Sequence, residues 1–193
     1  MKLTEYQEKV RGLTTQGKPL NYLIAELTSK AGELSAAWGS FEIVHPSEGA
    51  RWDVTKAHMV KALGEIIQNI TEISNLLKLD LDADVFAPTS DVKPTPTLDV
   101  SLLVIGVLNY VCRLNSIYAG YLKNHEFKEM DVETLGTNVR TGKKDDLGPS
   151  ILKELIAISS SITDLIRRIS VKFDDLLSVN LYVLNTSKAP VKK

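Results

Sequence analysis

The sequence predicts an all-α fold with a four-helix-bundle core, and three observations lead to this prediction. Apolar residues recur at the spacing of one helix face in four long segments, near residues 20–44, 54–78, 98–124 and 149–171. The order of long helix, polar connection and long helix occurs twice. A proline-rich segment separates the two occurrences. We therefore predict a tandem duplication of a helical pair, and no sheet.

Shorter elements flank the four long helices. An amphipathic segment from Leu3 to Leu13 comes first, and Gly17-Lys18-Pro19 marks the join to the next helix, because proline suits a first helical turn and not an interior one. A polar connection through Asn138 to Asp146 joins the third and fourth long helices. A short helix around Leu176 to Leu184 ends the helical region.

The proline-rich segment sets the predicted organisation of the chain. Residues 87–97 contain three prolines and are predicted to be a linker or an extended strap, between repeats at 1–86 and 98–185 and before a tail at 186–193. Neither repeat has enough apolar surface to stand well alone, so we expect the two helix pairs to form one compact domain. A helical bundle without a duplication is the alternative.

Composition narrows the class of protein. The 193 residues include 23 Lys and Arg against 24 Asp and Glu, so a net charge of -1 gives no overall field toward nucleic acid or an anionic membrane. The polar N-terminal residues, and the lack of a run of about 20 apolar residues, predict a cytoplasmic protein with no membrane segment. The single cysteine, Cys112, excludes an internal disulfide and a multi-cysteine zinc site.

Four short motifs carry a resemblance to a known family. They are LTEYQ at 3–7, AGEL at 31–34, ALGE at 62–65 and LDL at 79–81. In this order and spacing, residues 1–84 resemble the MazG-like branch of the all-α nucleoside triphosphate pyrophosphohydrolases. The second half resembles that family in its architecture and in the stretch DDLLSVNL at 174–181.

The resemblance implies a magnesium site that this chain has largely lost. In the family, two acid-x-x-acid pairs on facing helices hold the ion, which neutralises a triphosphate and activates water for hydrolysis between the α and β phosphates. The four matching positions in the first half are Lys30, Glu33, Ala62 and Glu65. Those in the second half, with a register uncertain by one helical turn, are Tyr110, Arg113, Glu154 and Ala157. Only three of the eight residues are acids.

The favoured hypothesis is a nucleotide-binding protein without efficient catalysis. Its predicted cleft is lined by Lys30, Glu33, Glu65, Asn69 and Glu72, and Arg113 and Glu154 are the corresponding candidates in the second half. Lys30, together with Arg113, would supply positive charge for phosphate where the family has metal. The predicted ligand is a nucleotide or a nucleotide-derived small molecule, and the cofactor is none, or Mg²⁺ held weakly by Glu33 and Glu65.

Two alternatives stay open. The chain could be an active Mg²⁺-dependent pyrophosphohydrolase, with Glu26 or Glu72 adding a ligand to Glu33 and Glu65. It could also be a structural or protein-interaction bundle, in which Glu26, Lys30 and Glu33 form an exposed ion-pair ladder. The resemblance further implies a homo-oligomer and, because small MazG-like proteins are frequent in bacteriophages, a phage protein that captures a signalling nucleotide.

Aromatic and histidine residues give weaker signals. Trp38 and Trp52 flank the first interhelical loop and could stack on a purine, although the position of Trp38 also fits the core face of its helix. The three histidines, His45, His58 and His125, have no spacing typical of zinc ligands and are predicted to lie in two loops and at a helix start.

Overall fold

The computed structural model describes residues 1–14, 17–43, 49–87, 99–125, 132–142 and 146–187. All regular secondary structure within these ranges is helical, which confirms the predicted all-α class. The elements are α1 (Leu3–Leu13), α2 (Leu20–Ile43), α3 (Gly49–Leu76), the short π-helical segment α4 (Leu81–Phe86), α5 (Val100–Asn124), α6 (Val132–Thr141), α7 (Leu147–Arg168) and α8 (Phe173–Ser187).

The helix bounds follow the apolar periodicity closely, with two differences. Helix α3 begins at Gly49, well before the predicted start near residue 54, so His58 lies inside the helix and not at its beginning. The predicted polar connection before α7 contains the helix α6. His45 and most of the predicted linker at 87–97 lie outside the described residues.

Packing within each helix pair is extended by packing between the pairs. Helix α2 lies along α3, α5 lies along α7, and α2 also packs against α5. The flanking elements cross over: α8 packs against α3, and α4 packs against α7. The first pair is therefore covered by α8, which follows the second pair in the chain. The second pair is covered by α4, which follows the first pair.

One hydrophobic core runs through these elements. Fully buried side chains come from both pairs, among them Leu27 and Leu34 of α2, Ile66 and Ile70 of α3, Val107 and Leu114 of α5, and Ile158 and Leu165 of α7. Full burial of one such side chain stabilises a fold by about 1.5–3 kcal/mol relative to exposure. The core therefore depends on contacts across both halves of the sequence.

The second long helix of each pair ends in the same way. Lys78 after α3 and Ser170 after α7 both have positive φ angles, 56° and 55°. At each end, the amide three residues after the last helical residue donates to a carbonyl five residues back, Leu79 to Ser74 at 2.8 Å and Val171 to Ile166 at 3.1 Å. This is the Schellman pattern, which satisfies carbonyls left open at a helix end. The two ends are 92 positions apart.

Helix α5 differs from one expectation drawn from the sequence. Val100–Asn124 is long enough and apolar enough to cross a membrane by length and composition alone, whereas no such segment was expected. One face of this helix, including Val107, Val111 and Leu114, is buried against α2 and α7. The opposite face exposes Leu102 and Ile105.

A close contact between α3 and α8 at Gly64 gives a test of the cross-pair packing. A Cβ atom on Gly64 would lie 3.2 Å from the Cβ of Asn180, whereas a Cβ on Gly32 of α2 would meet no atom within 4 Å. Replacing a glycine inside a helix by alanine stabilises the helix by about 1 kcal/mol when the added methyl group has room. We expect Gly32→Ala to raise the free energy of unfolding by about that amount, and Gly64→Ala to lower it or leave it unchanged. Urea denaturation measures both, and equal stabilisation by both would contradict the α3–α8 contact.

Candidate functional site

The side chain of Lys30 joins α2 to α3. Its Nζ lies 2.9 Å from Oε1 of Glu33, one turn later on α2, and 2.9 Å from Oε2 of Glu65 on α3. The Glu65 oxygen is close enough for a strong ion pair but is not aligned for a hydrogen bond. Lys30 and Glu65 are largely shielded from solvent, while Glu33 is about half exposed. Three of the four predicted first-half residues thus meet around one ammonium group.

The surroundings of Lys30 favour its charged form. Burial lowers the pKa of Lys30, but the hydrogen bond to Glu33 and the close contacts with the negative charges of Glu33 and Glu65 outweigh this effect, so the pKa is raised above its ordinary value. The ammonium therefore stays protonated at neutral pH. Its charge is already matched by two carboxylates, which leaves the group of three with one negative charge.

A cavity of about 340 Å³ opens beside this group, between α2 and α3. Its walls include Glu33, Ser40, His58, Lys61 and Ala62, so two of the four positions that match the family motif face it. A volume of this size lies at the lower end of the range for small-molecule sites, about 300–1,000 Å³.

Lys61 is the accessible cation of this cavity. Its side chain is 66% exposed, and its Nζ lies 3.9 Å from Oε1 of Glu65, a loose contact compared with the 2.9 Å contacts of Lys30. His58 lies nearly one turn earlier on α3 and lines the same cavity. Lys61 can therefore move onto an incoming anion without breaking a tight ion pair.

An aromatic cluster lies further along the same helix pair. Trp38 and Phe41 of α2 and Trp52 of α3 have ring centroids 5.3 to 6.4 Å apart. The indole Nε1 of Trp38 donates to Oγ of Ser101 on α5 at 3.0 Å. Trp38 is half-buried and ties α2 to α5, in line with its expected position on the core face.

Glu72 belongs to a different group from Lys30. Its Oε2 lies 3.3 Å from Nζ of Lys18, which also binds Glu26 at 2.8 Å, and its Oε1 accepts from Nε2 of Gln68 at 2.8 Å. Glu72 is buried, two turns or roughly 10 Å further along α3 than Glu65. The expected ladder of Glu26, Lys30 and Glu33 is therefore divided, because Lys18 takes Glu26.

The Glu72 group continues into a hydrogen-bonded chain between the halves. Oε1 of Gln68 accepts from Nδ2 of Asn180 on α8 at 3.5 Å, and Oδ1 of Asn180 accepts from the hydroxyl of Tyr6 on α1 at 2.6 Å. Burial, and secondarily the negative charge of Glu72, raise the pKa of Tyr6 well above its usual range. Asn69, the neighbour of Gln68, is buried as well.

The second half holds an ion pair of its own. Nη2 of Arg113 on α5 lies 2.9 Å from Oε1 of Glu154 on α7. Glu154 is almost completely buried while Arg113 is half exposed, and Oε2 of Glu154 has no hydrogen-bond partner among the residues that the structure describes. The seven predicted site residues therefore fall into three places: the Lys30 group with its cavity, the Glu72 group beside buried Asn69, and the Arg113–Glu154 pair.

Sequence reasoning missed Lys18 and Lys61 as parts of these groups. Lys18 was assigned to a helix-joining turn, and its partners lie on α2 and α3, so only the fold could reveal the contacts. Lys61 stands one residue before a matched position, and that adjacency was the available signal. Within the described ranges, no group of three or more His, Cys, Asp or Glu side chains is arranged to hold a metal ion.

No family model, no curated protein and no solved structure matches this chain.

Exchanging the charge at Lys30 tests its role as a fixed cation. In Lys30→Glu, three carboxylates from α2 and α3 would converge without a countercharge, so the variant should be less stable than the parent and should regain stability with Mg²⁺. Thermal melting with and without Mg²⁺ measures this gain in stability. At a Mg²⁺ concentration of a hundred times the Kd, binding stabilises the folded state by about 2.7 kcal/mol. Lys9→Glu, which breaks an exposed pair with Glu5, is the matched control. An equal Mg²⁺ effect in the parent would contradict the assignment.

Alkaline pH should weaken the fold. The pKa values of Lys30, Lys18 and Tyr6 are raised in the folded state. Their contribution to the free energy of unfolding is therefore fully present below the pKa values of the unfolded chain, about 10.4 for Lys and 10 for Tyr. It is lost as the pH rises through the pKa values of the folded state. The free energy of unfolding in urea should therefore fall as pH is raised above about 10. Tyr6→Phe should make this fall shallower, whereas Tyr182→Phe at an exposed position should leave it unchanged. The same slope in both variants would contradict the role of buried Tyr6.

Proposed function

We propose that this protein binds a nucleotide or a nucleotide-derived anion in the cleft between α2 and α3 and does not hydrolyse it. The observation that carries the proposal is the Lys30 ammonium between Glu33 and Glu65. The resemblance assigns that neighbourhood to Mg²⁺, and here a covalently attached cation offsets one of the two negative charges of Glu33 and Glu65. A cation held in this way needs no metal to keep the cleft assembled.

The residues present do not fit a magnesium centre. Mg²⁺ requires near-octahedral oxygen ligands, and only Glu33 and Glu65 remain of the four family positions, with their charge already shared with Lys30. Ala62 offers no ligand atom. An ammonium carries one charge and has no open coordination position, so it cannot activate water as a metal ion does. The proposed activity is therefore binding alone.

Recognition of the ligand is assigned to the cavity beside the Lys30 group. Lys61 is the exposed cation there, and His58 and Ser40 add hydrogen-bonding capacity for phosphate or sugar oxygens. Lys30 itself is engaged by two carboxylates, so direct phosphate contact, which the sequence analysis assigned to Lys30, is assigned here to Lys61. Lys30 instead keeps Glu33 and Glu65 from repelling the anion.

The organisation of the chain supports the resemblance behind this proposal. We infer a tandem duplication, because α3 and α7 end in the same hydrogen-bond pattern and α8 and α4 cover them reciprocally. The matching helix ends favour the register that pairs Ala62 with Glu154 and Glu65 with Ala157. In this arrangement the Arg113–Glu154 pair is a structural counterpart of the Lys30 group. Cytoplasmic location, homo-oligomerisation and a phage origin stay predictions.

Two alternative functions, an active pyrophosphohydrolase and a protein-interaction bundle, predict different experimental results. An active pyrophosphohydrolase would release pyrophosphate from a nucleoside triphosphate and would lose that activity in Glu33→Gln. A protein-interaction bundle would bind no nucleotide, and its partner surface would include the exposed apolar residues of α8, Val179, Tyr182 and Val183.

Calorimetric titration with nucleoside mono-, di- and triphosphates and cyclic nucleotides, with and without EDTA, tests the proposal. We expect one class to bind, with affinity that survives EDTA and weakens with added salt. Lys61→Ala should cost about tenfold to a hundredfold in affinity, because a charge-assisted contact is worth about 1.5–3 kcal/mol. Lys153→Ala, which removes an exposed lysine of α7, should cost nothing.

The variant Lys30→Ala, measured in the same titration, tests whether Lys30 takes the place of Mg²⁺. Without the ammonium, the charges of Glu33, which lines the cavity, and of Glu65 beside it have no countercharge from Lys30, so nucleotide affinity should fall in EDTA and recover at least partly with Mg²⁺. The parent should show no such dependence on Mg²⁺. Binding in the parent that disappears in EDTA, or pyrophosphate release near one turnover per second, an ordinary enzymatic rate, would favour the enzyme. The absence of binding by every nucleotide would favour the interaction bundle.

A further inference from the structure

A second cavity, of about 400 Å³, lies at the junction of the two halves, away from the α2–α3 cleft. Its walls come from four places in the fold: the start of α1, the segment α4, the last turns of α7 and the start of α8. Its volume lies within the range of small-molecule sites, about 300–1,000 Å³. None of the eight positions matched to the family's metal site lines this cavity.

The cavity is mainly apolar. Six apolar side chains line it: Leu3, Phe86, Ala87, Ile166, Val171 and Phe173. The rings of Phe86 and Phe173 meet edge to face with centroids 5.6 Å apart. These walls suit an aliphatic or aromatic group, because each square ångström of apolar surface taken from water contributes about 25 cal/mol.

Two opposite charges border the same cavity. The guanidinium of Arg167 on α7 makes one ion pair within the described part of the chain, to Oδ1 of Asp164 at 3.4 Å. Charge-assisted contacts of full strength are nearer 2.7–2.9 Å, so most of its five donors remain usable. Asp82, exposed in the first turn of α4, has no ion pair with any other described residue.

The combination selects a particular chemistry of ligand. A simple carboxylate would pair with Arg167 but would be repelled by Asp82, and a simple amine would meet the reverse. A zwitterion satisfies both charges at once. An α-amino acid carries its ammonium and carboxylate on one carbon, next to a side chain that can enter the apolar part of the cavity.

We propose that this cavity is a binding site for a hydrophobic α-amino acid. Arg167 binds the carboxylate, Asp82 binds the ammonium, and the side chain lies among the apolar walls that end in Phe86 and Phe173. Because α4 belongs to the first half and α7 and α8 belong to the second, the ligand contacts both halves. The site is independent of the proposed nucleotide cleft.

Titration followed by amide chemical shifts in the full chain tests the proposal. The probes are L-phenylalanine, L-leucine, 3-phenylpropionate, which lacks the ammonium, and phenethylamine, which lacks the carboxylate. We expect the two amino acids to bind and to shift the amides of Val171 and Phe173, and to leave that of Lys61 in the other cleft unshifted. Each truncated probe should bind at least about tenfold more weakly, since it loses one charged contact.

Variants identify the two charged contacts. Arg167→Met and Asp82→Asn should each weaken L-phenylalanine binding at least about tenfold, whereas Arg168→Met, which removes the neighbouring exposed arginine, should not. Ala87→Trp, at an exposed position on the rim, should block binding by filling the cavity, and the thermal melt of each variant checks its fold. Equal binding of 3-phenylpropionate and L-phenylalanine, unchanged affinity in the charge variants, or no shift by either amino acid would overturn the proposal.

Discussion

Burial of apolar surface across the two halves is the constraint on which the rest of this structure depends. Each helix pair buries the faces that its two members turn toward each other, but α3 and α7 also carry apolar residues on their outer sides. These are covered by α8 and α4 respectively, and neither cover belongs to the pair that it completes. The relative placement of α2 and α3, and with it the cleft between them, is therefore supported by elements from the opposite end of the chain.

Polar contacts fix the register of that crossed arrangement. Gln7 of α1 donates from Nε2 to the carbonyl of Leu79 at 2.8 Å and accepts at Oε1 from the amide of Leu81 at 3.0 Å. Tyr6, next to it, bonds Asn180 of α8. Apolar packing tolerates small slides between helices, whereas a buried hydrogen bond that is lost costs about 1–3 kcal/mol, so these contacts select one alignment. The motifs at 3–7 and 79–81 that carried the family resemblance thus meet in space.

The long helices could be predicted from the sequence because their burial follows the helical period, and the misses have local causes. Residues 49–53 lack an apolar stripe, so the start of α3 was placed too late. Helix α6 is short and buries few apolar side chains, chiefly Leu135 and Val139. A Cβ on its Gly136 would lie 2.9 Å from the carbonyl oxygen of Leu77, so contact with the end of α3 holds it in place. Such a tertiary contact has no periodic signal.

The candidate site was harder to predict because its decisive contacts cross between helices. Spacing along α2 correctly paired Lys30 with Glu33, but it also offered Glu26 to Lys30. The fold gives Glu26 to Lys18 and brings Glu65 of α3 to Lys30 instead. An ion pair within a helix can be read from a separation of three or four residues. A pair across two helices depends on their rotation and register, which a single sequence does not contain.

The burial of two acids explains the positions of Lys30 and Arg113. Glu65 lies on α3 and Glu154 lies on α7, the second long helix of each pair. Glu65 is mostly shielded and Glu154 is almost fully buried, and a carboxylate removed from water is costly without a countercharge. Each is paired with a cation from the preceding long helix, Lys30 or Arg113. The positive charges of Lys30 and Arg113 are therefore accounted for by these two acids, so an anion at the α2–α3 cavity would need a separate cation, and Lys61 is an exposed lysine there.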